Sequence, residues 1–121
     1  MVTPMRNPEL IYKICSHEAY RVFAKTGVFP GMPIDIKDGY VHFSTAEQLA
    51  ETLRLHFAGQ GDVVVFSVRT YDLGVGLRWE PSRGGQLFPH LYGELHIGAV
   101  GQYATVSVDT EGNVALPEWV R

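Results

Sequence analysis

The stretch Asp38-Gly-Tyr-Val-His-Phe-Ser-Thr45 carries polar groups where an ordinary sheet strand would be apolar. Side chains alternate between the two faces of a strand, so Val41 and Phe43 share one face, which is suited to a hydrophobic core. The opposite face carries an aromatic ring, an imidazole and a hydroxyl, from Tyr40, His42 and Ser44. The stretch therefore predicts a strand with one structural face and one face available for chemistry.

A second block, Gly84-Gly-Gln-Leu-Phe-Pro-His-Leu-Tyr-Gly-Glu-Leu95, repeats this combination of aromatic ring, histidine and hydroxyl. Alternation places Leu87, Pro89 and Leu91 on one side. The opposite side carries Phe88, His90 and Tyr92. Pro89 and Gly93 make strict alternation less secure in this block. We expect the two histidine blocks to border one cleft.

Composition indicates one globular domain. The chain has 121 residues, of which 45% are hydrophobic and 19% charged, and we predict a lead-in over residues 1–9 and one domain over 10–121. A formal charge of -3 argues against nucleic acid as a partner, because nucleic-acid binders usually carry a basic excess on one face. A small anionic ligand remains compatible with this charge. The sequence does not indicate an oligomeric state.

The compartment is inferred from cysteine content and from apolar runs. The single cysteine, Cys15, excludes an internal disulfide and a cysteine-based zinc site, and it fits a reducing compartment. No apolar run has the length of a signal peptide or of a membrane span, so we expect a cytoplasmic protein without a membrane partner.

The first half of the chain predicts two helices. After a strand over residues 10–14, Ser16 can cap a helix from His17 to Lys25 that stops at Gly27, and residues 29–37 are expected to form a loop. A strand over 40–43 follows. Either Thr45 with Gln48 or Ser44 with Glu47 has the spacing of a capping box for a second helix over 46–58.

The second half predicts strands. The apolar run over residues 62–68 is typical of a strand covered on both faces, at the centre of a sheet. Residues 102–108 alternate in polarity, and a turn over 109–113 predicts a hairpin with a strand over 113–116. Helices early and strands late indicate an α+β domain.

These segments together resemble the bacterial domain-of-unknown-function 952 (DUF952) family over nearly the whole chain. The specific blocks are Gly39-Tyr-Val-His-Phe-Ser-Thr45 and Phe88-Pro-His-Leu-Tyr-Gly93. That resemblance implies an ADP-ribosyltransferase-like fold, with a mixed β-sheet as its core. Val41-His-Phe-Ser44 is also similar to a stretch of the RNA 2'-phosphotransferases, which use NAD, although the acidic charge of this chain ranks an RNA substrate lower.

The resemblance implies that the strand bearing His42 and Ser44 lines an NAD cleft and that a later strand supplies a carboxylate. Glu80 and Glu94 are both candidates for that carboxylate. Relatives of the family have a histidine where this chain has Lys13, and a charged lysine cannot accept a hydrogen bond from a ribose hydroxyl.

Cleavage of NAD develops positive charge on the ribose, so a site needs an aromatic ring for the leaving nicotinamide, hydrogen bonds to ribose and a nearby carboxylate. We predict catalytic roles for His42, His90 and Glu80. Predicted ligand contacts are Lys13, Tyr40, Ser44, Thr45, Arg78, Phe88 and Tyr92. For a phosphate ligand the useful groups would instead be Lys13, Arg78, Arg83 and His90.

Each of these residues also has a structural interpretation. Ser44 and Thr45 suit helix caps, Arg78 suits a solvated surface position, and Tyr12 suits the core. The five histidines have no metal-ligand spacing, so no metal is predicted.

The leading hypothesis is a cleft for NAD or an ADP-ribose-like nucleotide, with transfer or hydrolysis at the nicotinamide ribosyl bond as its possible reaction. In that reaction His42 and Ser44 would orient ribose, Tyr92 or Tyr40 would stack on nicotinamide, and His90 would assist proton transfer. The alternative is a non-catalytic ligand-binding or interaction module on the same fold.

Overall fold

The computed structural model describes residues 8–121. The predicted lead-in lies mostly outside these residues. Within this range there are three α-helices: α1 (His17–Thr26), α2 (Pro33–Asp38) and α3 (Ala46–Phe57). The strands are β1 (Leu10–Cys15), β2 (Val41–His42), β3 (Gly61–Arg69), β4 (Leu77–Pro81), β5 (Leu87–Leu91) and β6 (Val100–Val108).

The first sheet has the order β1-β3-β6, with both pairings antiparallel. The prediction that the run over 62–68 forms a central strand is confirmed, since β3 is buried on both faces. Phe66 faces a core that includes Phe23 of α1, whereas Val65 faces a second core that includes Leu49 and Leu53 of α3. The sheet therefore separates two hydrophobic cores.

The second sheet has the order β2-β5-β4 and is also antiparallel. Its register places His42 directly opposite His90, so the two histidine blocks are neighbours, as expected. The carbonyl of Pro89 accepts a hydrogen bond from Phe43 N–H. The N–H that proline lacks would point to the same side as this carbonyl, away from β4. No hydrogen bond to β4 is therefore lost, and proline is tolerated in this central strand.

Local capping signals fix two of the helices. Ser16 accepts a hydrogen bond from Ala19 N–H at the start of α1, and Gly27 ends that helix in the left-handed conformation with φ 84°. At α3 the capping box forms between Thr45 and Gln48. The alternative box, which would start at Ser44, is not used.

The loop predicted over residues 29–37 is partly wrong, because α2 occupies Pro33–Asp38. Pro33 stands in the first turn, and the Asp35 carboxylate accepts from Met32 N–H. Sequence periodicity could not reveal this helix, since its isoleucines, Ile34 and Ile36, are exposed instead of forming a buried stripe.

The predicted hairpin partner over 113–116 is also wrong. The turn exists, with Asp109 N–H donating to the carbonyl of Asn113, but no strand follows it. The chain instead crosses the α3 side of the first sheet, where Trp119 stacks on Tyr12 and the Tyr12 hydroxyl accepts from Arg121 N–H. The alternating pattern of β6 reflects its two faces, because Val106 and Val108 pack into the core on the α3 side whereas Thr105 and Ser107 are exposed.

The α+β class is confirmed, whereas the expected single mixed sheet is replaced by two antiparallel sheets and the expected two helices by three. The strand predicted over 40–43 is reduced to Val41–His42, and α3 ends one residue early, at Phe57. In residues 8–121 no helix is long and apolar enough to cross a membrane.

Candidate functional site

A cleft of about 530 Å³ lies where the two sheets meet. Tyr12 of β1 and Ser44 exchange two backbone hydrogen bonds, of 2.8 and 2.9 Å, which join the edge of the first sheet to the chain that leaves β2. The cleft borders this junction. Its walls come from β1, α2, α3, β5 and the turn after β4, and they include Lys13, Met32, His42, Ser44, Thr52, His56, Ser82, Arg83, Phe88 and His90.

Lys13 lines the cleft, but its charge is used inside the protein. Its Nζ lies 2.9 Å from both carboxylate oxygens of Asp35, and both side chains are nearly fully buried. Burial lowers the pKa of Lys13, and the Asp35 carboxylate opposes that effect. Burial also raises the pKa of Asp35, but hydrogen bonds from His42 and the Lys13 charge outweigh it and bring that pKa to about 2. The Asp35 carboxylate is therefore ionised at neutral pH.

His42 is held between two carboxylates. Its Nδ1 lies 2.7 Å from Asp35 Oδ1, and its Nε2 lies 2.9 Å from Asp38 Oδ2. The His42 backbone N–H also donates to Asp35, so one carboxylate fixes α2, β1 and β2 together. With both ring nitrogens engaged, His42 has no ring nitrogen left to contact a ligand unless a carboxylate contact breaks.

His90 is held on one side only. Its Nδ1 lies 2.9 Å from Glu80 Oε1, which also accepts a 2.7 Å hydrogen bond from the Tyr92 hydroxyl. The hydrogen bond from Tyr92, which has the larger effect, and the one from His90 lower the pKa of Glu80. Within residues 8–121, His90 Nε2 makes no hydrogen bond, although His90 lines the cleft. This carboxylate–imidazole arrangement orients one nitrogen and leaves the other for a ligand.

The aromatic rings of the two blocks pack behind His90. The Tyr40 ring stacks on the His90 ring with centroids 4.3 Å apart, and the Tyr92 ring lies 5.0 Å from Tyr40. Arg78 lies over the Tyr92 ring, 4.8 Å from its centroid. Tyr40, Arg78 and Tyr92 do not line the cleft, whereas His90 does, and so does His42, whose ring centroid lies 4.5 Å from that of Tyr40.

Arg83 provides a cation on the cleft wall. Its guanidinium lies 5.0 Å from the centroid of the Phe88 ring, and its Nη1 donates to Thr52 Oγ1 at 3.2 Å. Ser44 Oγ donates to the same Thr52 oxygen, so hydroxyls line the wall beside the cation. No carboxylate of residues 8–121 lies within 4 Å of Arg83, in contrast to Lys13.

The predicted site residues fall into two groups. Lys13, His42, Ser44, Phe88 and His90 line the cleft. The residues that do not line it are Tyr40, Thr45, Arg78, Glu80 and Tyr92.

The members of the second group have identifiable partners: Thr45 caps α3, Glu80 orients His90, and Arg78 packs on Tyr92. Glu94, the other carboxylate candidate, is exposed, 3.9 Å from His96.

Sequence reasoning missed Asp35, Asp38 and Thr52. Asp35 had one local signal, because it follows Pro33 at a position that can cap a short helix. Its pairing with Lys13, 22 residues away, had none. In the part of the chain that the structure describes, no group of three or more histidine, cysteine or acidic side chains is arranged to hold a metal ion.

Comparison with known proteins places these features in a family. The sequence profile of the DUF952 proteins, described as proteins of unknown function, matches residues 14–103. The crystal structure of protein CC0527 from Caulobacter crescentus is 40% identical, with a TM-score of 0.82, over 88% of this chain and 93% of that one. The solution NMR structure of CC0527 gives 40% identity and a TM-score of 0.76, over 87% and 90% of the two chains. No curated protein matches the chain. The chain therefore belongs to the DUF952 family.

Proposed function

We propose that the cleft binds a small nucleotide-like anion, of the class of NAD or ADP-ribose. The observation that carries this proposal is Arg83, a cation on the cleft wall with no carboxylate of residues 8–121 within 4 Å. The described lining contains no acidic side chain. Glu51, whose pKa is lowered mainly by Arg54 and in smaller part by Arg83, lies outside the lining and is paired with Arg54. The volume of about 530 Å³ falls within the range of small-molecule pockets.

The wall around Arg83 suits a phosphate group. A guanidinium donates two parallel hydrogen bonds to phosphate oxygens, and Ser82, which can donate a further one, lines the same cleft. Phe88 and the apolar side chains of Met32 and Ile34 provide surfaces for a planar ring. NAD and ADP-ribose combine phosphates with planar rings, and they are also the ligands that the ADP-ribosyltransferase resemblance suggests.

His90 is the group suited to ribose. Its Nδ1 is oriented by Glu80, and its Nε2 is the nitrogen available to accept a hydrogen bond from a ribose hydroxyl or to take a proton. His42 acts on the ligand indirectly, because it holds α2 and thereby the cleft wall formed by Met32 and Ile34.

The geometry favours binding over turnover at the nicotinamide ribosyl bond. Hydrolysis would break the bond between ribose and nicotinamide and form a new bond from ribose to a water oxygen, with a carboxylate near the developing cation. Glu80 is the carboxylate closest to this role, but it is engaged by His90 and Tyr92 and does not line the cleft. We expect no nicotinamide release from NAD above the uncatalysed rate. Release that is abolished in Glu80→Gln would establish the enzymatic alternative.

Isothermal titration calorimetry with ADP-ribose tests the binding proposal. Arg83→Ala should weaken binding by about tenfold or more, because a hydrogen-bonded charge pair with phosphate is lost. Arg78→Ala is the matched control, since Arg78 also stacks on an aromatic ring but lies outside the cleft lining, and it should bind as the wild type does. Equal affinity of the wild type and Arg83→Ala would overturn the proposal.

A further inference from the structure

The edge strand β6 has one long side without a partner. The order β1-β3-β6 places β6 at the border of the first sheet, with β3 on one side only. Within residues 8–121, no backbone hydrogen bond reaches Val100–Val108 from any segment other than β3. The other border is occupied in part, because Tyr12 of β1 bonds to Ser44.

β6 has few of the features that protect edge strands from pairing. Such strands are usually short, carry charged residues or proline, or contain a bulge, and the one irregularity in the pairing of β3 with β6 lies near the start of β6, between Phe66 and Val68 of β3. The nine residues Val-Gly-Gln-Tyr-Ala-Thr-Val-Ser-Val include no charge and no proline. Tyr103 is 62% exposed, and Thr105 and Ser107 are exposed as well.

The C-terminal segment leaves this edge uncovered. After the turn that begins at Asp109, Val114 and Trp119 pack into the core on the α3 side of the sheet. The path ends at Tyr12 of β1, on the opposite border. The described chain therefore turns away from the free side of β6.

We propose that β6 pairs with β6 of a second copy of this chain, antiparallel about a two-fold axis near Ala104, to form a continuous six-stranded sheet. Two-fold pairing brings identical surfaces together, and an uncharged strand meets no repulsion from its own copy. Arg69 lies beside the start of β6, where its Nη2 donates to Gly98 O and its Nε is paired with Asp72, so the charge at this end is balanced. Asp109 follows the end of the strand, and Asp62 of β3 lies opposite Ser107. Antiparallel pairing brings the balanced end of one copy to the acidic end of the other, whereas parallel pairing would bring the two acidic ends together.

The test begins with the mass in solution, by light scattering coupled to size-exclusion chromatography, from about 10 µM to about 1 mM. One chain is 13.5 kDa, so the proposal predicts a concentration-dependent rise toward twice that value, about 27 kDa. A mass of 13.5 kDa throughout this range would overturn the proposal. The same result is expected if the free edge of β6 pairs with a different protein.

Charged variants establish whether β6 forms the contact. In this register Tyr103 of one copy faces Thr105 of the other, so Tyr103→Lys/Thr105→Lys should remain monomeric, and so should Tyr103→Glu/Thr105→Glu. An equal mixture of these two double variants should restore the dimer mass, which a folding defect would not. Tyr71→Lys is the control, because Tyr71 is 94% exposed and lies outside β6, and it should dimerise as the wild type does. A wild-type dimer that persists in the double-lysine variant would contradict the proposal.

Discussion

Lys13→Met should destabilise the protein strongly, because it leaves the buried Asp35 carboxylate without its cation. The side chains are 4% and 3% exposed, with the ammonium 2.9 Å from the carboxylate. Removing one partner of a buried ion pair costs about 3–5 kcal/mol. Asp35 keeps the backbone donors of Met32 and His42 and its contact with the His42 ring, so we expect the low end, about 3 kcal/mol.

This loss can be expressed as a change in melting temperature. An unfolding entropy of about 2 cal/mol/K per residue over 121 residues converts about 3 kcal/mol into a decrease of about 12 °C. Urea denaturation followed by fluorescence of Trp79 and Trp119 gives the free energy of unfolding. Lys25→Met is the matched control, because Lys25 is exposed and should change stability by less than about 0.5 kcal/mol.

A double-mutant cycle then separates the pair from its surroundings. Asp35→Leu alone should also be severely destabilising, since it leaves Lys13 buried without a counter-charge. The double variant Lys13→Met/Asp35→Leu should lose at least about 1 kcal/mol less than the sum of the single losses. Additive losses, or a loss below about 1 kcal/mol for Lys13→Met, would refute the interpretation of Lys13 as a paired structural charge.

Three further outcomes are expected. The pKa of Asp35 in the folded protein is about 2, below its usual value of 3.8. Its contribution to stability is therefore present above pH about 4 and is lost as the pH falls through about 2. Acid denaturation should show this loss in the wild type and not in Asp35→Asn. Burial raises the pKa of Cys15 to about 12, so an aromatic disulfide reagent at pH 8 should label it only after denaturation; rapid labelling of the native protein would contradict its burial. Gly112 has φ +87°, and an added Cβ would lie 3.2 Å from Arg54 Cα. Gly112→Ala should therefore lower the free energy of unfolding, measured by urea denaturation, by about 1–3 kcal/mol. Gly98→Ala is the control, because its added Cβ meets nothing within 4 Å, and it should lower that free energy by less than about 1 kcal/mol.

The parts of the fold that sequence predicts are those set by neighbouring residues. Ser16 with Gly27, and Thr45 with Gln48, carry start and stop signals within a few positions, so α1 and α3 follow from the sequence almost to their ends. The helix α2 escaped prediction because it is held by the Asp35 carboxylate instead of by a buried apolar face.

The candidate site divides in the same way. Alternation predicts only which face of each block carries its histidine, and the structure brings the two blocks together on adjacent strands, with the rings of His42 and His90 5.3 Å apart. What alternation cannot give is the partner of each ring, because Asp35 and Glu80 reach their histidines across tertiary contacts. Those partners determine that His90, and not His42, keeps a ring nitrogen available for a ligand.

The central claim is that the cleft beside Arg83 binds a nucleotide-like anion, and an NMR titration of the isotopically labelled protein with ADP-ribose tests it most directly. The account predicts saturable amide shifts at residues 42–44, 82–83, 88 and 90, and none beyond the background at the control residue Tyr71. Millimolar ADP-ribose without saturable shifts in these three segments would contradict it.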